Sequence, residues 1–401
     1  MFSDRSRWDL APNRLTRALA DHQGSGRPLL DLTLSNPTLS SFQYPQGLLA
    51  SLSQPAAIEY HPAPRGLRSA RKAIVDLYRE RDPARPLAID PDHVCLTAST
   101  SEAYSFLFRL LCNSGDEVLA PAPSYPLFQF LADINDVRMV HYPLLYDHGW
   151  YIDIHALEQR ITTATRAILL VHPNNPTGSY VRREEAATLT RLCSAHNLAL
   201  IVDEVFLDYN LGPAHPVTFV ANHDALTFTL NGLSKLCALP QMKLAWIVAS
   251  GPAHLTADAL ARLEVIADTY LSVSTPVQLA LPELLQARHH MRTQLMERIF
   301  ANLQELDRQL AAQTLCSRLQ VEGGWYTVLR VPAIRSDEDL AVCLLERGVL
   351  VHPGHFYDFD SNGFIVISLI LPEPGFAQAL GSVLKAVPGL TAFSQLRTAG
   401  P

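Results

Sequence analysis

The sequence predicts an α/β fold: a large domain on a mostly parallel, seven-stranded sheet with helices on both faces, and a second, small α+β domain. Three observations carry that reading. The 401 residues are 48% hydrophobic and only 18% charged, enough apolar mass for two cores and too apolar for a disordered chain. From about residue 66, short apolar runs alternate with segments of helical spacing. The apolar runs are continuous rather than alternating, as strands covered on both faces read.

Residues 1–45 read as an arm: a short amphipathic helix in NRLTRALADH, then a strand in LLDLTLSNPTLS leading into a Pro-containing loop. GLRSARKAIVDLYRERD has helical periodicity. The seven strands expected next are HVCLTAS, EVLAPAP, RMVHYPL, RAILLVHP, LALIVDEVF, ALTFTLNG and KLAWIVAS. Helices are expected between them in SEAYSFLFRLLC, YPLFQFLADIN and REEAATLTRLCSAHN. Residues 253–315 read as helical throughout. GGWYTVLRVP, SDEDLAVCLLERG, VLVHPG, GFIVISLIL and GFAQALGSVLKAV then read as strand, helix, strand, strand and helix. The expected division is 1–45 as arm and part of the small domain, 46–285 as the large domain, and 286–401 as the small C-terminal domain.

Composition excludes several classes. The formal charge of −7 argues against nucleic acid as a partner, which wants a basic face. No apolar run reaches the ~18 residues of a membrane helix, and the N-terminus lacks a signal-peptide hydrophobic region. Six cysteines show no C-x-x-C and no metal spacing, so free thiols and no metal are expected, in a cytoplasmic protein. The only Gly-x-Gly, Gly24-Ser25-Gly26, precedes a strand, the wrong context for a dinucleotide. Lysine is scarce: Lys72, Lys235, Lys243 and Lys385 are the only four among 32 basic residues.

In such sheets ligands lie at the carboxyl ends of the strands. After HVCL comes a hydroxylic run, Thr97 to Ser101, opening a helix; it reads as a plain N-cap or as an anion cradle. Tyr125 follows the second strand, a core tyrosine or an aromatic face. Asn174 and Asn175 begin a tight turn, NNPTG. Asp203-Glu204 ends a wholly apolar strand, where a carboxylate is costly without a partner. Lys235 stands in a very apolar stretch, where it either snorkels or becomes a desolvated nucleophile. Taken singly, each feature has an ordinary structural explanation. Together, a cradle for phosphate, an aromatic face, an amide, a carboxylate and a buried amine suit pyridoxal 5′-phosphate.

The chain resembles the class I/II aminotransferases of PLP fold type I, the aspartate aminotransferase-like family, along nearly its whole length. The carriers are Tyr60–Leu67 (Y-x-P-x-P-R-G-L), Pro121–Pro126, His172–Gly178, Asp203–Tyr209, Gly232–Lys235 and Leu239–Trp246. The spacing is specific: 28 residues from Asn175 to Asp203, then 32 to Lys235. The resemblance implies a transaminase, moving an amino group from an amino donor to a keto acceptor. Lys235 would form the Schiff base and shuttle the proton, and Asp203 would pair with the pyridine nitrogen. Asn175 would donate to the ring oxygen, Tyr125 would stack on the ring, and Ser99, Thr100 and Ser101 would cradle the phosphate. Tyr60, and Ser274 or Thr275, would reach across a homodimer interface. Ser35 and Asn36, opening the SNPT run, and Val366 are the expected substrate positions.

Four positions depart from the family pattern. Lys243 replaces a phosphate-binding arginine, Phe206 a tyrosine, Gly232 a serine, and Val366 the arginine that grips the substrate carboxylate. The last leaves three expectations: Arg330, or Arg14 and Arg17, substitutes; the substrate has no carboxylate there; or the chain holds the cofactor without transaminating. A PLP-dependent lyase or cyclase of the same fold, or a non-catalytic PLP-binding protein, is the alternative function.

Overall fold

The computed structural model describes residues 1–81, 87–213 and 216–391. Eight strands form the large sheet: β1 (Val94–Thr97), β2 (Glu117–Ala122), β3 (Arg138–Tyr146), β4 (Trp150–Ile152), β5 (Thr165–Val171), β6 (Ala199–Asp203), β7 (Thr227–Gly232) and β8 (Ala245–Ser250). Their order is β1-β8-β7-β6-β5-β2-β3-β4. The run β7-β6-β5-β2-β3 is parallel. β8 lies antiparallel between β7 and β1, and β4 closes a hairpin with β3. All seven expected strands are present. The eighth, β4, is three residues long, too short to show a period in the sequence.

The helices are α1 (Arg14–Gly24), α2 (Arg68–Arg81), α3 (Thr100–Leu111), α4 (Leu127–Asp133), α5 (Ile154–Glu158), α6 (Arg183–His196), α7 (Leu233–Leu236), α8 (Ala253–Tyr270), α9 (Thr275–Leu310), α10 (Asp337–Glu346) and α11 (Glu373–Thr391). Every residue of β6, β7 and β8 is buried, which explains why those runs show no alternation. Within β5 and β6, side chains still divide between the faces. Leu169, Val171 and Ile201 pack on α3 and α8. Ile168, Leu170, Leu200 and Val202 pack on α5 and α6.

The small sheet has strands β9 (Ser317–Arg318), β10 (Tyr326–Arg330), β11 (His352–Pro353) and β12 (Phe364–Ser368), in the antiparallel order β9-β10-β12-β11. Its core draws Leu295 and Ile299 from α9 and Phe376 and Leu380 from α11. The helical stretch expected at 253–315 is two helices, broken where Leu271 takes a left-handed φ of 46°. α9 then runs 36 residues, through Pro282, and serves both cores: Leu281 and Leu284 in the large one, Leu295 and Ile299 in the small.

The N-terminal strand shrinks to Leu30–Asp31, paired with Val349–Leu350, and α1 packs on α10. The first residues instead reach the large domain. Arg5 Nε donates to Asp136 at 2.7 Å, and the Trp8 indole donates to Asp133 at 3.0 Å. All six cysteines are free. Among the described residues no helix is long and apolar enough to cross a membrane.

Two glycines join the domains beneath the strand ends. Gly178 has φ 70°, and a Cβ there would stand 2.4 Å from Val321 Cγ2 and 2.6 Å from the Gly323 carbonyl. Neither the left-handed backbone nor the clash with main chain can relax cheaply. Gly178→Ala is therefore expected to lower stability by about 2–4 kcal/mol in urea unfolding, the sum of a left-handed penalty and overpacking. A loss under about 0.5 kcal/mol would show that the turn is not tightly held.

Candidate active site

The site forms where β6 and β7 end. Successive residues of a strand point to opposite faces, so Asp203 and Glu204 part company. Asp203 faces the site. Its Oδ2 accepts a hydrogen bond from Tyr104 Oη at 2.8 Å, and its Oδ1 accepts one from the Val205 amide at 3.0 Å. Burial pushes its pKa up to about 6, against the pull of the Val205 amide, Tyr104 and Lys235. Glu204 turns the other way, accepts from Thr218 Oγ1 at 2.6 Å and the Phe219 amide at 2.7 Å, and lies 3.7 Å from Arg81. It is structural.

Lys235 lies on α7, the one-turn helix that leaves β7 directly. Tyr209 Oη donates to its carbonyl at 2.6 Å and fixes the main chain there. Its Nζ stands 4.9 Å from the centre of the Trp325 ring and 5.6 Å from that of Phe206. Desolvation among these rings lowers the amine to about 8, with Asp203 opposing the shift. Ring faces attract an ammonium, but they cannot accept its hydrogen bonds as water does. The amine is partly exposed and makes no hydrogen bond of its own among the described residues.

The other sequence-selected residues surround this pair. Tyr125 packs edge-on against Phe128, and burial raises its phenol to about 12, with Tyr326 and Asp203 adding to the shift. Asn174 is the anchor of its turn: its amide donates to Pro123 O and Thr177 Oγ1, both at 2.9 Å, and its oxygen accepts from Ser124 Oγ at 2.8 Å. Asn175 is different. It is only 8% exposed, and its Oδ1 is buried with no partner. A buried orphan acceptor of that kind calls for a ligand or a donor that arrives with one.

Ser99 caps α3, its Oγ accepting from the Glu102 amide at 3.1 Å. The amides of Thr100 and Ser101, in the first turn, have no helical partner and are available to an anion. Glu102 itself accepts from the Ala98 amide at 2.7 Å and from Ser272 Oγ at 2.6 Å. That tie brings the 272–275 segment, with Ser274 and Thr275, beside the cradle of its own chain. Lys243 is exposed and has φ 50°. A non-glycine residue held in that region is strained, as residues at functional sites often are. Gly232 pairs with Ala245 across β7 and β8, and a Cβ would stand 2.8 Å from Ala245 Cβ. The serine expected at Gly232 would therefore collide with β8.

Ser35 lies beside Tyr326, whose phenol burial raises and Ser35 pulls back. Asn36 is exposed, its carboxamide accepting from Thr38 N and Oγ1. Tyr60 is 72% exposed and makes no hydrogen bond among the described residues. Val366 is fully buried. Of the proposed substitutes for its missing charge, Arg330 and Arg14 have other partners. Arg330 is exposed, over the rings of Tyr146 and Phe364 at 5.7 and 5.9 Å. Arg14 binds Asp339 at 2.6 Å, and Arg17 is exposed on α1.

Sequence reasoning missed Tyr104, Tyr209, Trp325, Tyr326, Tyr357 and His352. Tyr104 falls on the apolar face of α3 and reads as core. The others come from segments that only the folded chain brings to the strand ends.

An acidic acceptor, an amine, an aromatic face, an unpaired amide oxygen and a helix N-terminus thus converge. They fit pyridoxal phosphate: each polar end of that molecule meets a group of complementary charge or hydrogen-bonding type.

The family described as aminotransferase class I and II matches residues 43–374. The glutamate-pyruvate aminotransferase AlaA of Haemophilus influenzae is 28% identical over 360 residues, 86% of this chain and 87% of that one. The alanine aminotransferase of Mycobacterium bovis is 30% identical over 359 residues, 88% of this chain and 77% of its own. Among solved structures, alanine aminotransferase from Pyrococcus furiosus superposes with a TM-score of 0.87 at 22% identity, covering 97% of this chain and all of that one.

The depressed amine is directly measurable. At pH 8 after cofactor removal, about half of Lys235 should be free amine, so an amine-acylating reagent should modify it at a rate that rises with pH through that point. Mapping by peptide mass spectrometry should give a midpoint near 8 for Lys235. A midpoint near 10.5 would remove the desolvation argument.

Proposed function

The chain belongs to the class I and II aminotransferase family and is a PLP-dependent transaminase, and from that premise we propose that Lys235 and Asp203 carry its chemistry. The observation behind this is the pairing of a buried carboxylate, pushed up to about 6, with an amine lowered to about 8 at adjoining strand ends. Groups whose environments shift them toward neutrality are suited to proton transfer.

Bound pyridoxal phosphate supplies the electron sink that makes an amino acid's α-proton removable. The protein's own groups do the rest. Lys235 would hold the cofactor's aldehyde end and, once free, would take the α-proton. Asp203 would keep a proton on the pyridine nitrogen, and Tyr104 fixes the orientation of that carboxylate. Asn175 would donate its amide to the ring hydroxyl, Tyr125 would cover one ring face, and Ser99, Thr100 and Ser101 with Lys243 would hold the phosphate. Gly232 lets β7 approach β8 beside the phosphate without a hydroxyl of its own. Phe206 offers no hydroxyl, so Lys235 meets only a ring edge and face there.

The exposed Tyr60 supports a homodimer in which that residue completes the partner's phosphate site. The division into 1–45, 46–285 and 286–401 remains our reading of the domains, with the second boundary inside α9, three residues beyond Pro282. A cytoplasmic role in amino acid metabolism, without nucleic acid or membrane, is the setting we favour for such chemistry.

Lys235→Ala should abolish both turnover and the visible absorbance of the bound cofactor; retained turnover would refute the assignment. Lys243→Arg should slow cofactor loss on dialysis several-fold, because a guanidinium grips phosphate with two parallel bonds and an ammonium with one. Unchanged retention would mean that Lys243 does not touch the phosphate.

A further inference from the structure

Any amino acid donor brings a carboxylate into the cleft, and the register of the small sheet shows what faces it. Directly opposed residues of antiparallel strands share a face. Tyr326 opposes Ser368, Val328 opposes Val366, and His352 opposes Val366 from the other side. One face therefore presents Tyr326, Val328 and Arg330 of β10, Phe364, Val366 and Ser368 of β12, and His352 of β11. His352 Nδ1 is 2.9 Å from Tyr357 Oη. Tyr357, buried at 5% exposure, also ties the cleft wall together: its carbonyl accepts from the Ser124 amide at 2.9 Å, next to Tyr125.

Three phenols meet here. Burial holds Tyr357 well above its ordinary value, and Tyr326 and Tyr125 add to that; Tyr125 in turn senses Tyr326 and Asp203. They stay protonated, hence hydrogen-bond donors, and geometry links them: Tyr326 and His352 share the sheet face, Tyr357 meets His352, and the Tyr357 carbonyl is bonded beside Tyr125. Ser35 stands beside Tyr326. The polar end of the cleft is thus built of hydroxyls; Arg330 shares the sheet face, but its guanidinium lies over the Tyr146 and Phe364 rings, and Arg14 is bound to Asp339.

We propose that the donor's carboxylate is bound by the hydroxyls of Tyr326 and Tyr357, oriented by Ser35 and His352, without a guanidinium. Tyr326 and Tyr357 are then the specificity-determining residues and His352 a positioning residue. O–H donors to a carboxylate form short, charge-assisted bonds, so two of them can replace one bidentate arginine. They discriminate less against uncharged acceptors. This rests on the reading that Lys235 and Asp203 form the reacting centre.

The test compares alanine with alaninamide, and adds glutamate, on cofactor-loaded wild type, Tyr326→Phe, Tyr357→Phe and His352→Gln. Both the visible absorbance change of the bound cofactor and steady-state KM and kcat are followed. The wild type should prefer alanine or glutamate to alaninamide. Each variant should raise KM for the acid about tenfold with kcat little changed, and leave KM for the amide where it was. Unchanged KM for the acids, equal losses for acid and amide, or a wild type that takes neither acid would each overturn the proposal. If Lys235→Ala is inactive while the phenylalanine variants keep their KM, only the carboxylate assignment falls; if Lys235→Ala still turns over, the reacting centre itself is wrong.

Discussion

The structure depends on keeping one carboxylate buried at the end of β6 without a full salt bridge. Asp203 is 7% exposed, and its nearest strong donors are a neutral phenol and a main-chain amide. Removing a carboxylate from water costs several kcal/mol unless its oxygens are satisfied. Here Tyr104 and Val205 satisfy one oxygen each, while the fully buried strands β6, β7 and β8 hold the geometry. The residual electrostatic demand shows in the raised pKa of Asp203 and the lowered one of Lys235. A site that is strained electrostatically when bare is complementary to a ligand that brings a ring nitrogen to one group and a carbonyl to the other.

The departures at the cofactor site have structural partners. Phe206 joins a cluster with Trp325 and Tyr326, at ring separations of 5.4 and 6.3 Å, so the missing hydroxyl is replaced by packing surface around the lysine. Gly232 is required by the close approach of Ala245. Lys243 keeps a basic side chain at an exposed position with a left-handed backbone.

Much of this was legible in the sequence because strand ends follow apolar runs, and the residues just past them are few. Asp203, Lys235, Asn175 and Tyr125 were selected that way, each at or just past the end of a large-sheet strand. The eighth strand was not, since Trp150–Ile152 is shorter than any period it could reveal. Nor was the break at Leu271, where an ordinary leucine takes a left-handed conformation. Tyr104 could not be distinguished from core, because it is core on every side but the one where its hydroxyl meets Asp203. Tyr326, His352 and Tyr357 lie 80 residues or more beyond Trp246, where the last of the motifs they join ends, and local pattern carries no record of such a meeting. The arginines proposed to replace the one absent at Val366 were chosen by domain, from the arm and the small domain; the fold places Arg14 on Asp339 and Arg330 over Tyr146 and Phe364, and leaves Arg17 exposed on α1.

The turn at Glu322–Gly324 is bonded to the large domain rather than merely packed against it. Leu211 N donates to Glu322 O at 2.8 Å, Gly324 N to Tyr209 O at 2.9 Å, and Glu322 N to Gly178 O at 3.2 Å. These main-chain bonds lie next to Trp325, the ring that covers the Lys235 amine. They would serve as a fulcrum. If the small sheet swings as substrate enters, Trp325 and the adjoining Tyr326 stay near the axis, and the bond from Ser124 N to Tyr357 O pins a second point of the wall. The lysine's apolar shelter and the hydroxyls beside it would persist through each opening.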